Sequence, residues 1–169
     1  MADVKKGADL VAVALANTMS LYLPAEIDAV NAAWNDPNTV PALPYPKKIF
    51  SERRLEVPES PTLMIAVAQA KQTANGAYSS QTGWASMAYP FDVMLIFRGD
   101  KLHILERMGR RYAQAIWEVL MKHQELDGSL PGPQGLDPLE WAADTNQQDQ
   151  MTLQHVLIWN GLVYVEQSV

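Results

Sequence analysis

"YPFDVMLIFRGDKLHILERMGRRYAQAIWEVLMKH", residues 89–123, decides the fold. Its first part, 89–99, is rich in Val, Ile, Leu, Met and Phe over strand length and predicts a strand. From Lys101 to about Glu125 the pattern changes to a helical period. Leu105, Met108, Tyr112, Ile116, Val119 and His123 fall three or four residues apart on one stripe, and Arg107, Arg110, Arg111, Gln114, Glu118 and Lys122 fall largely on the other side. Glu118 and Lys122 stand i, i+4 in the favourable order, as on a solvated face. A strand followed at once by an amphipathic helix predicts a helix packed on a sheet.

Upstream, "PTLMIAVAQA" (61–70) predicts a second strand, and "QTANGAYSSQTGW" (72–84) lies between the two without a single Asp, Glu, Lys or Arg. Asn75-Gly76 within it is the strongest short hairpin signal, because a type I′ turn needs positive φ at both central residues. Residues 72–84 are therefore expected to project as an uncharged hairpin arm. Tyr78 and Trp84 are its aromatic residues; either they fold back onto their own sheet or they anchor a partner, and the length of the arm favours the partner, since interface cores are rich in aromatics and poor in charge. Deleting 73–82 should leave the monomer folded and abolish assembly. "KKIFSERRLEV" (47–57) predicts a short edge strand, with Ile49 and Phe50 flanked by charges that discourage further pairing.

In the N-terminal region, 1–35, the residues Leu10, Val13, Ala14, Leu21, Ile27, Val30 and Trp34 follow a helical spacing, with a break expected at Pro24 and hence two helical pieces. A Pro-rich connector, 36–47, excludes helix and crosses a surface. Downstream, Asp127-Gly128 predicts a helix stop, and "LDPLEWAAD" (136–144) a short helix with Asp137 as N-cap and Pro138 at its first position. Residues 153–167 predict a final strand, bulged near Asn160-Gly161. The fold class is α+β: a mainly antiparallel sheet with a long hairpin, packed against the N-terminal helix and the central amphipathic helix, in one domain over 1–169.

Composition narrows the chemistry. Of the residues, 48% are apolar and 19% charged, and the formal net charge is −6. That balance argues against affinity for phosphate backbones. With no cysteine, thiolate sites and disulfides are excluded. The lysines before the first apolar run resemble a signal peptide, but Asp9, Asn17, Thr18 and Ser20 interrupt it, and the chain reads as soluble and unprocessed. His103, His123 and His155 lack the i+3 or i+4 partner of a helical metal pair. "DTNQQDQMTLQH" (144–155) has neither the glycine nor the final glutamate of a calcium loop and reads as a solvated turn. Glu52, Glu56 and Glu59 flank Arg53 and Arg54 in a self-compensated segment. No catalytic residue, cofactor or metal is expected. Arg107, Arg110 and Arg111, clustered on one helix of an acidic chain, read either as an ordinary solvated face or as an ion-pair surface between subunits.

Taken together, "PYPKKIFSERRLEVPESPTLMIAV", the quoted stretch 89–123 and "HVLIWNGLVYVE" resemble the tail terminator, or tail completion, proteins of tailed bacteriophages. The resemblance covers most of the chain and rests on element order: an N-terminal helix, a strand pair, a helix carrying Arg and Tyr followed by an apolar stripe, and a terminal strand. It implies a structural subunit of a ring, commonly of six copies, that ends the head-proximal end of the tail tube and joins it to a neck or head-completion protein. Genomic DNA would pass through the lumen without specific binding. The location implied is the virion neck, with the host cytoplasm before assembly. Another virion joining protein, such as a head-completion or tube subunit, is the alternative, and a small-molecule-binding α+β domain is a further one.

Overall fold

The structure, a computed structural model, describes residues 4–36, 38–57, 59–69, 71–72, 84–126 and 134–168. It is an α+β fold of two helices on one side of a six-stranded sheet. The helices are α1 (Val4–Ala33) and α2 (Leu102–Lys122); the strands are β1 (Lys48–Phe50), β2 (Thr62–Val67), β3 (Lys71–Gln72), β4 (Trp84–Gly99), β5 (Gln134–Gln147) and β6 (Leu153–Ser168). The sheet runs β1-β2-β4-β6-β5, with β3 paired to β4 beside that path. It is antiparallel except that β1 runs parallel to β2. The short β1 lies at the sheet edge, where its sequence placed it.

β4 and β6 pair along all 16 residues, and strict alternation divides their side chains between two faces. Tyr89, Phe91, Val93, Leu95 and Phe97 on β4 and Leu157, Trp159, Val163 and Val165 on β6 meet the helices in one core. The α2 stripe predicted from spacing is the buried one: Leu105, Tyr112, Ile116 and Val119 are all at most 2% exposed. Each such side chain contributes about 1.5–3 kcal/mol of burial. α1 lies over β2 and against α2, and α2 lies over β5 and β6. Contacts from Lys122 to Glu26 and from Arg111 to Asp36 show the two helices to be antiparallel.

Three readings of the sequence are corrected. Pro24 does not divide the N-terminal region; α1 is continuous through it. Leu23, Ile27 and Val30 are buried on both sides of the proline, and Ser20, whose carbonyl loses its usual donor, faces solvent. Burial of the flanking turns outweighs one missing hydrogen bond. The span Gly7–Ala33 is long and apolar enough to cross a membrane by length and composition, and half of its most apolar stretch is buried within the fold.

Residues 136–144 form no helix but most of β5. The local cap signal of Asp137-Pro138 loses to a ladder with β6 that runs from Gln134↔Val165 to Gln147↔Leu153. Pro138 is accommodated because the register shifts between Pro138 and Glu140, at a bulge on an end strand where its missing N–H does no harm. The irregularity foreseen near Asn160-Gly161 thus belongs to the strand opposite. Of the arm, Lys71↔Ala88 and Gln72↔Met87 pair β3 with β4, and Trp84 opens β4 opposite Ser168. The Asn75-Gly76 turn and Tyr78 lie outside the described residues.

The Pro-rich connector returns along α1. Asn31 holds the Leu43 peptide with both ends of its amide, at 3.1 and 2.8 Å, and the Tyr112 hydroxyl donates to the Pro44 carbonyl at 2.6 Å. Burial pushes the Tyr112 phenol above its ordinary pKa, so it stays a donor. Val40 and Leu43 enter the core.

Candidate interaction surface

Two turns of α2 bring Arg107, Arg110, Arg111 and Gln114 to a cleft of about 380 Å³, whose other wall is Trp34 and Asp36 from the end of α1. The arginines do not share one environment. Arg111, assigned by its spacing to the solvated side, is only 8% exposed. Its Nη2 donates to both carboxylate oxygens of Asp36, at 2.9 and 3.1 Å, and its guanidinium lies 5.3 Å from the centroid of the Trp34 ring. Asp36 is held in turn by its carbonyl, which accepts from Thr39 and Val40. Arg111 is therefore a structural wall.

Arg107 and Arg110 are exposed and have no hydrogen bond or ion pair among the described residues. Two uncompensated guanidinium groups one turn apart, beside a Trp34 that is 53% exposed, have the composition of an interface hot spot. Arg110 also borders a second groove of about 500 Å³ between α2 and β5, with Leu102, Glu106, Trp141 and Thr145.

The floor of that groove holds His155, 3% exposed and 5.0 Å from the Phe97 ring. Its Nδ1 bonds the Thr145 hydroxyl at 2.8 Å, and its Nε2 has no partner among the described residues. Nε2 faces Gly109 of α2, where a Cβ would stand 2.6 Å away. A proton on Nδ1, donated to Thr145, leaves only a lone pair on the apolar helix backbone and is the cheaper tautomer. Burial lowers the His155 pKa, so the ring is neutral. His123 caps α2 and stacks on Tyr22 at 3.5 Å, and His103 is exposed on the first turn.

In the charged segment after β1, Arg54 pairs with Glu52 as its sequence suggests, whereas Arg53 reaches out of the segment to Asp92 on β4. Residues 148–152 form the turn between β5 and β6, where the Asp149 carboxylate accepts from the Met151 and Thr152 amides at 2.8 Å. The Met151 amide holds that carboxyl below its ordinary pKa. Among the described residues, no group of three or more acids and histidines is placed to hold a metal.

Trp34 and Asp36 are the partners that spacing did not identify. Trp34 was legible as the last apolar position of the first helix, but its approach to Arg111 spans a separation that one sequence does not encode. Replacing Asp36 by Asn should cost about 1–2 kcal/mol in a denaturant titration, below the roughly 3–5 kcal/mol of a fully buried pair because Asp36 is half in water. Wild-type stability would mean that water solvates Arg111 as well as Asp36 does.

Compared with known proteins, the chain matches no family model and no curated sequence.

Proposed function

We propose that the chain is a structural subunit of a ring at the head-proximal end of a phage tail tube, where it ends tail growth and joins tail to neck. The observation that carries this reading is the exposed Arg107, Arg110 and Trp34 surface, firmly positioned by the Arg111–Asp36 pair and composed for contact with protein. The order of elements supports it: a long helix, paired strands, an amphipathic helix bearing Arg and Tyr, and a long closing strand. In such a ring the acidic chain lets genomic DNA pass without being held. Tail tube and neck proteins are the neighbours above and below.

The test is native mass across a concentration series, followed by imaging on isolated tail tubes. A discrete closed assembly near six copies that seats at one end of the tube is the expected result. A strict monomer that does not bind isolated tails overturns the proposal.

A further inference from the structure

The sheet face opposite the helices has its own surface chemistry. Register places Ile158, Leu162 and Tyr164 of β6 on that side, half-buried and outside the helix-side core. Directly beside them on β5, Asp137 stands opposite Leu162 and Glu140 opposite Asn160. Alternation alone would send positions 137 and 140 to opposite faces. The bulge between Pro138 and Glu140 returns them to the same one. Both are exposed, and neither is ion-paired among the described residues.

One subunit thus carries two uncompensated cations beside an exposed tryptophan on its helix layer, and two uncompensated carboxylates beside an apolar strip on its sheet layer. The spacings agree. Two positions along β6 separate the acids by about 7 Å, and residues i and i+3 of a helix lie about 5–6 Å apart. Because the surfaces lie on opposite faces of a two-layer molecule, they cannot meet within one chain. They can meet between copies, head to tail, which is the contact geometry that closes rings.

We infer that the occupant of the Arg107–Arg110 surface is the outer sheet face of a second copy of this chain, with Asp137 and Glu140 against the arginines and the β6 apolar strip against Trp34. This rests on the ring reading above and names the faces that close it.

The test uses two charge-reversed full-length chains, Arg107→Glu with Arg110→Glu and Asp137→Lys with Glu140→Lys. All four positions are exposed, and unchanged circular dichroism verifies folding. Sedimentation velocity at low salt should show each variant alone dissociating at about 10- to 100-fold higher concentration than wild type, from repulsion at every contact. A 1:1 mixture should reassemble, since each reversed helix face then meets a reversed sheet face in strict alternation.

Wild-type assembly by both variants overturns the assigned faces and leaves the ring standing. Loss in both without recovery in the mixture overturns the pairing of these two faces. A wild-type chain that stays monomeric, alone and with isolated tails, overturns the ring reading and this inference with it.

Discussion

Replacing Gly161 by alanine is expected to cost about 3 kcal/mol of folding stability, the upper end for an overpacked position. A Cβ there would lie 2.5 Å from the Asp137 carbonyl oxygen and 2.8 Å from two carbons of the Phe91 ring. Neither neighbour can yield cheaply. The carbonyl belongs to the backbone of β5 at its bulge, and Phe91 is 2% exposed in the core. The penalty is steric, arising from the close approach of β5 to β6 opposite Pro138. For a chain of this length it corresponds to a fall in Tm of about 6–12 °C. Gly135→Ala on the same strand is the control, because a Cβ there meets nothing within 4 Å; its change should stay within about 0.5 kcal/mol. Equal stability of the two variants, read from urea midpoints at constant slope, would refute the close approach. Since the bulge also puts Asp137 and Glu140 on one face, a Gly161 variant that still folds should be altered in assembly as well.

What was legible in the sequence depended on how local its cause is. The apolar stripe of α2 and the alternation of β4 are set by side chains within a few residues of one another; α2 was read with nearly correct limits, and β4 with its correct end at Gly99 but a start five residues late, since it opens at Trp84. β5 was misread for the complementary reason. Asp137-Pro138 is a sound local signal for a helix start, but Trp141 and its neighbours pair with a strand about twenty residues away, and that ladder is invisible to periodicity on an exposed end strand. Pro24 failed as a break because the apolar residues on both sides of it are buried on a sheet formed much later in the chain. The arginine cluster was legible as residues but not as a site. Spacing placed Arg111 with Arg107 and Arg110, whereas Asp36 and Trp34 withdraw it from solvent and leave the other two facing outward.

The second large effect inverts an ordinary rule. Gly109 lies in the middle of α2, where Gly→Ala normally stabilises a helix by about 1 kcal/mol. Here the added methyl would stand 2.6 Å from His155 Nε2. The imidazole cannot swing aside freely, because Thr145 holds its other nitrogen and Phe97 packs on its ring. Either the Thr145 bond breaks inside a buried site or α2 rises from β6, taking Leu105 and Met108 from the core. Gly109→Ala should therefore lose about 1–2 kcal/mol instead of gaining one. The cause is separable by a double-mutant cycle. In a His155→Ala background the same substitution should regain its helix-propensity benefit, giving a coupling of about 2–3 kcal/mol between the two positions. Additive effects would show that Gly109 is present for some reason other than the imidazole beneath it. Coupling of the expected size would establish that a glycine in α2 and a histidine in β6 set the height of the helix above the sheet. That height also fixes how far Arg107 and Arg110 stand out from the subunit.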